Sequence, residues 1–272
     1  MTSTDHDLPG EGLKPDKMPG HWLLAQMGKR VLRPGGLELT QRMIDALHIV
    51  TTDRVVEFAP GLGATARRTL SLAPSSYTAI ERDEKAARIV RKILKGDNQR
   101  VVIGRAEETG LPSGSATAVY GEAMLSMQPP GTKSRIVREA CRLLGPTGRY
   151  AIHELCLVPD EVSDSMKNEI HQSLSAAIHA GVRPLTVAEW REVLETEGLS
   201  VTEEAQAPMH LLEPKRLVQD EGLIRAFKFV LNVALHKEAR RRVFAMRGVF
   251  RKYRDHLAAI MLVGRKAEGT PS

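Results

Sequence analysis

Apolar residues in the first fifty positions recur at three-to-four spacing. Leu23, Leu24, Met27, Val31 and Leu32 form one stripe, and Leu37, Leu39, Met43, Ile44 and Leu47 a second. This spacing predicts two helices, separated by the breaker Arg33-Pro34-Gly35-Gly36. From Asp53 the period changes. Short apolar runs at 54–58, 77–80, 101–103, 116–120 and 149–157 read as strands. Helical stretches at 64–72, 83–95 and 134–144 fall between them. Such alternation predicts a parallel sheet with helices on both faces.

Beyond Pro159 the pattern is helical again, over 163–180 and over 186–197 with Thr186 as N-cap. A sixth strand is expected at 199–205. A helix follows over 220–235, with apolar residues at 223, 224, 227, 230, 231, 234 and 235. Another carries Val243, Met246, Phe250, Tyr253 and Leu257, before a last strand at 258–263. The fold expected is α/β, a Rossmann-like seven-stranded, mostly parallel sheet. Residues 1–20, rich in Pro, Gly and charge, read as a disordered tail. Residues 21–272 read as a single domain, with a helical cap at 21–50 and a basic helical insertion at 206–256.

Composition narrows the class. The chain of 272 residues is 42% hydrophobic and 26% charged, enough to bury a core. No apolar run approaches the ~18–20 residues of a membrane span, and no secretory signal opens the chain. Two cysteines, Cys141 and Cys156, give neither a disulfide framework nor a zinc set, and the nine histidines contain no H-x-x-x-H pair. No metal site is expected, and the predicted location is cytoplasmic. Net charge is +6. Between Glu213 and Asp255 there are twelve Lys/Arg against five Asp/Glu, so the excess is concentrated in the insertion. Such a segment is a solvated helix face or a surface for an anionic partner.

The most informative stretch is Val55-Val56-Glu57-Phe58-Ala59-Pro60-Gly61-Leu62-Gly63-Ala64-Thr65-Ala66. A strand that ends in a Gly-rich turn and opens a helix aims backbone N–H groups at a ligand. Gly61, Gly63 and Ala66 fit the dinucleotide fingerprint G-x-G-x-x-A, with Glu81 twenty residues past Gly61. Glu57, however, sits too near for a pyrophosphate and suits a cationic ammonium. With Glu57, this loop and Glu81, the sequence resembles the class I S-adenosylmethionine-dependent methyltransferases, nearest the ubiquinone/menaquinone-type small-molecule branch. The segments 104–112, 142–149 and 190–199 are similar to the adenine loop, the turn into the fifth strand and the helix before the sixth strand of that family.

The resemblance implies S-adenosylmethionine as cofactor. It places Glu57, Ala59, Pro60, Gly61 and Gly63 around the methionyl part, Glu81 on the ribose and Arg82 beside the adenine. Ala106 and Glu107 would meet the adenine edge, with Gly121 and Glu122 near the sulfonium. Ala59 stands where the family usually has glycine, and is expected to keep φ negative. Arg105 and Thr117 replace acids common in the family.

Candidates for catalysis are Glu122, Glu154, His153 and His21. His153 and Glu154, as strand neighbours, point to opposite faces. The expected function is methyl transfer to a small-molecule acceptor by in-line displacement, through an O, N, S or C nucleophile. An alternative is methylation of RNA, with basic helices at 215–256 on the phosphates. A non-enzymatic binding module is a third class. The apolar late helices could form a homodimer face.

Overall fold

In the computed structural model, which describes residues 8–266, the sheet is eight-stranded. In chain order the elements open with α1 (Gly20–Gln26), α2 (Gly36–Leu47), β1 (Arg54–Phe58), α3 (Ala64–Ser71), β2 (Ser76–Glu81) and α4 (Glu84–Arg91). Next come β3 (Gln99–Ile103), β4 (Ala116–Glu122), α5 (Pro130–Leu143), β5 (Leu144–Leu157) and α6 (Asp164–Ile178). The chain then forms β6 (Leu185–Thr186), α7 (Val187–Thr196), β7 (Leu199–Pro208), α8 (Pro214–Glu221), α9 (Leu223–Leu235), α10 (Lys237–Lys252) and β8 (Leu257–Lys266).

Strand order is β3-β2-β1-β4-β5-β8-β7, with the two-residue β6 against β5. All pairings are parallel except β5–β8 and β8–β7. The expected seven strands are all present; β6 is the addition. A two-residue pairing leaves too short a trace for periodicity to detect.

The central strands read as continuous apolar runs because both faces are covered. Alternation along β1 sends Val55 to the layer of α2, α3 and α4, and Val56 to the layer of α5 and α7. A third core joins α1, α6, α8, α9 and α10 at the carboxyl end of the sheet. Helix α7 starts where Thr186 predicts. Its side chain accepts from Glu189 N, and Glu189 accepts from Thr186 N, a full capping box.

Three expectations need correction. The first helix stops at Gln26, leaving an irregular segment, 27–35, between α1 and α2. The helix expected over 220–235 is broken at Gly222, whose φ of 76° divides α8 from α9. Much of its apolar stripe faces outward: only Ala226, Phe229 and Val233 of α9 are buried. Finally, residues 8–19, expected within the tail, form turns with Met18 buried. Arg242 holds this stretch by donating to the carbonyl oxygens of Pro15 and Met18, across more than 220 positions of sequence. Local composition carries no sign of such a contact. Residues 1–7 of the expected tail, and 267–272 of the expected domain, lie outside the described residues.

Candidate active site

The carboxyl ends of β1, β2 and β4 meet beneath α1, where an open α/β sheet holds its ligands. After β1 the backbone turns sharply. Ala59 N donates to Ile80 O at 2.8 Å and Gly63 N to Pro60 O at 2.9 Å. Gly61 has φ 56°, and a Cβ built there would meet nothing within 4 Å, so the turn opens onto free space. Ala59 also has a positive φ, 51°, contrary to expectation. The left-handed region costs a non-glycine residue roughly 1–2 kcal/mol. Ala123, just past β4, shares it with φ 52°. Strain of this kind collects where surrounding structure overrides local preference.

Glu81 at the end of β2 accepts from Gly61 N at 3.1 Å and from Asp83 N at 3.0 Å. Its carboxyl is thereby fixed beside the turn. Burial raises its pKa, against the pull of those two hydrogen bonds.

Glu57 is buried at the end of β1, where the hydroxyls of Tyr77 and Tyr120 both donate to its Oε2. Burial pushes its pKa up to about 7, against those hydrogen bonds, and the nearby charge of Glu122 adds to the rise. Glu122 has the opposite fate. Burial works against its charge, but Arg33 Nη1 at 3.0 Å, His153 Nδ1 at 2.8 Å and Thr40 Oγ1 at 2.6 Å outweigh it, with Thr65 Oγ1 as a further donor. Its pKa falls to about 2.

The roof is built from α1 and the segment after it. Glu221 accepts from Arg30 N and Val31 N, and Asp220 from Leu37 N. Lys29 is buried between the two carboxylates, at 3.9 and 3.7 Å. The C-terminal end of α8 therefore latches the segment that carries Arg30, Leu32 and Arg33. Beneath it lies a cavity of about 460 Å³, lined by the 59–62 turn, Glu57, Glu81, Arg82, residues 104–107 and Glu122, with His21, Trp22 and Arg33 above. A second, apolar cavity of about 80 Å³ shares His21, Leu32, Ala123 and Met127 with it. It continues towards Leu24, Leu211 and Phe250.

Residues 56–152 match the sequence profile of the methyltransferase domain family. The match runs from β1 through most of β5, the half of the sheet that forms the floor of the large cavity. The chain carries a S-adenosylmethionine-dependent methyltransferase domain. An uncharacterized protein of Haemophilus influenzae is 29% identical over 231 residues, covering 83% of this chain and 90% of the relative. Among solved structures, a protein assigned as a sarcosine dimethylglycine methyltransferase from Galdieria sulphuraria superposes with TM-score 0.68 at 14% identity, covering 85% of this chain and 86% of that one. Phosphoethanolamine N-methyltransferase 2 of Haemonchus contortus, in complex with phosphomonomethylethanolamine and S-adenosylhomocysteine, does so with TM-score 0.68 and 14% identity, over 98% of this chain and 61% of that one. These two likenesses concern the fold.

The large cavity is bordered by polar atoms that lack partners among the described residues. Arg33 Nε and Nη2 and His21 Nδ1 are buried with no hydrogen bond among the described residues. Together with the open face of Gly61, these are groups that a polar, partly anionic cofactor would satisfy, so the residues present fit S-adenosylmethionine. No group of three or more metal-ligating side chains occurs among the described residues.

Of the residues singled out in the sequence, Glu57, Ala59, Pro60, Gly61, Glu81, Arg82, Ala106, Glu107, Glu122 and His21 line the large cavity. Gly63 and Gly121 do not. Gly63 caps α3, where a Cβ would strike Ile93 at 2.8 Å, and Gly121, within β4, is packed against Phe58 and Met124. His153 lines neither cavity. Its Nδ1 faces Glu122, and its Nε2 lies 2.5 Å from Pro34 O, so both ring nitrogens are engaged. Glu154 touches the small cavity, but its oxygens accept from Met124 N, Leu125 N, Ser126 N and Ser126 Oγ, fastening the turn after β4. Arg33 was concealed in sequence by its place in a helix-breaking run. Only its distance from Glu122, 89 positions on, reveals it.

Proposed function

We propose that the chain transfers the methyl group of S-adenosylmethionine to a small molecule held in the two joined cavities, in the manner of the ubiquinone/menaquinone-type branch. One observation carries this reading: the large cavity is roofed by the chain's own α1 and the latched 28–35 segment, and it opens into an apolar recess rather than along a groove. An apolar recess of this kind suits a small molecule rather than the phosphates of a polynucleotide. The basic insertion supplies a second argument. Arg247 and Arg251 pair with Glu213, Lys252 with Glu169, and Arg242 with backbone carbonyls, so these four cations are tied to groups of the protein itself.

When bound, S-adenosylmethionine supplies a methyl group on a positively charged sulfur, open to in-line attack. The protein's part is orientation and exclusion of water. In this reading Glu81 accepts from the ribose hydroxyls, and Glu57, Ala59 and Gly61 surround the methionyl amine. Arg33 offers Nε and Nη2 to the methionyl carboxylate. Arg82, Ala106 and Glu107 border the adenine. Glu122 acts through Arg33, holding it at the cavity wall, while His153 and Glu154 support the walls without touching substrate.

His21 is the group best placed to meet the acceptor, since it borders both cavities. Burial chiefly, with the positive charge of Arg82, lowers its pKa to about 4, so at neutral pH it presents a neutral imidazole. It would accept a hydrogen bond, or a proton, from the nucleophile. Residues 21–272 act as one domain in this scheme, located in the cytoplasm.

The test is transfer from methyl-labelled S-adenosylmethionine into cell extract separated into metabolite, lipid, RNA and protein fractions. Label in the metabolite or lipid fraction is expected. Label in RNA, or no label together with no cofactor binding, would overturn the reading.

A further inference from the structure

Helix α9 turns its largest apolar side chains into solvent. Leu223, Ile224 and Phe227 are 75%, 86% and 70% exposed, and Val230, Leu231 and Leu235 continue the stripe. At ~100° per residue these six span an arc of roughly 140°. The opposite side of the helix packs inward through Ala226, Phe229 and Val233. Phe244 on α10 is also exposed. A soluble monomer scatters its exposed apolar residues singly, whereas a continuous face of this kind marks a surface that something covers.

The charges around the stripe say what that is. Lys228 borders it on one side of α9 with Arg225 further round that side, and Lys237, Arg240 and Arg241 follow on the first turns of α10. Glu238 is the one acid between Leu223 and Lys252. Arg225, Lys228, Lys237 and Arg241 make no ion pair with any described residue, unlike the cations further along α10 that are tied to Glu213 and Glu169. We infer that α9 and the start of α10 form a docking surface for an anionic lipid bilayer.

A broad apolar face bordered by free Lys and Arg is the pattern of a helix lying in the plane of a membrane interface, apolar side down and cations at the headgroups. With 13 residues α9 is about 20 Å long, and no helix among the described residues is long and apolar enough to cross a membrane. The helix therefore rests on a bilayer and does not span it. A second copy of the chain is a poorer match. A two-fold contact through this face would gather the same unpaired cations on both sides, with Glu238 alone to offset them. Anionic headgroups supply the complement that another copy lacks.

The experiment is co-sedimentation of the full chain with phosphatidylcholine vesicles, with and without phosphatidylglycerol. Binding is expected only to the anionic vesicles, weakened about tenfold or more as salt rises. The double variant Ile224→Glu/Phe227→Glu changes exposed positions, so its unfolding midpoint should stay near that of the parent while vesicle binding is lost. Arg225→Glu/Lys228→Glu should weaken binding and reduce its salt dependence. Three outcomes overturn the inference: no binding to anionic vesicles, binding unchanged in the double variants, or a vesicle-indifferent dimer that Phe227→Glu dissociates.

Discussion

Arg33 and Glu122 are in contact at 3.0 Å, joining the roof of the cavity to the end of β4. Both side chains are buried, so each depends on the other to keep its charge out of water. Breaking such a pair typically costs 3–5 kcal/mol. Arg33→Ala is expected to lower stability by about 3 kcal/mol in denaturant unfolding and to weaken S-adenosylmethionine binding. Arg33→Lys separates the two effects. It restores most of the stability by returning the charge, yet leaves cofactor affinity about tenfold low, because lysine lacks the planar fork.

The same carboxylate sets an acid limit. With its pKa brought down to about 2 in the folded chain, Glu122 contributes stability that is present above the ordinary carboxyl value and lost as pH falls through about 2. Unfolding midpoints measured down an acid series should fall in that window for the parent. Glu122→Gln should be less stable at neutral pH and show a shallower acid decline.

Glu57 titrates the other way. Its folded pKa of about 7 lies above the unfolded value, so its contribution is complete at low pH and is lost as pH rises to about 7. The groups around it are Tyr77 on β2, Tyr120 and Glu122 on β4, and Arg33 on the roof. Ionised Glu57 attracts a cationic ammonium, so S-adenosylmethionine affinity by calorimetry should increase as pH crosses about 7. Glu57→Gln should bind more weakly and lose this dependence. A parent profile flat across neutrality would remove Glu57 from the cofactor site.

Gly61 and Gly63 should respond differently to substitution. Space is open at Gly61, so Gly61→Val bears only the left-handed φ, about 1–2 kcal/mol, while its side chain intrudes on the cavity. The fold should survive and cofactor binding should fall by tenfold or more. Gly63→Ala bears the same left-handed strain and displaces the end of the Ile93 side chain, so thermal unfolding should report a loss of stability with cofactor binding less affected.

His21→Ala isolates the acceptor side. Label transfer into the accepting fraction should fall about 100-fold if the imidazole handles the nucleophile's proton, with cofactor affinity nearly unchanged. Equal losses in both would make His21 a cofactor contact.

What could be read from sequence was what lies close together along the chain. The β1 turn, Glu81 twenty residues later, and the Thr186 N-cap depend on spacing within one or two elements, and the structure has them where spacing puts them. The cavity's upper half could not be read this way. Arg33 meets Glu122, Asp220 and Glu221 latch the roof, and Arg242 pins the segment at Pro15 and Met18, all across long separations. Periodicity likewise established that α9 is amphipathic but not which face turns inward. The buried side is the modest one of Ala226, Phe229 and Val233.

Strand β8 lies between β5 and β7, and β7 has no other neighbour in the sheet. A chain emerging from the ribosome can therefore pair β1 to β5 while β7 still has no strand to join. Synthesis of 257–266 then closes the sheet in one step. Until that moment the nascent protein is a half-built sheet, with β7 still waiting for its one partner strand.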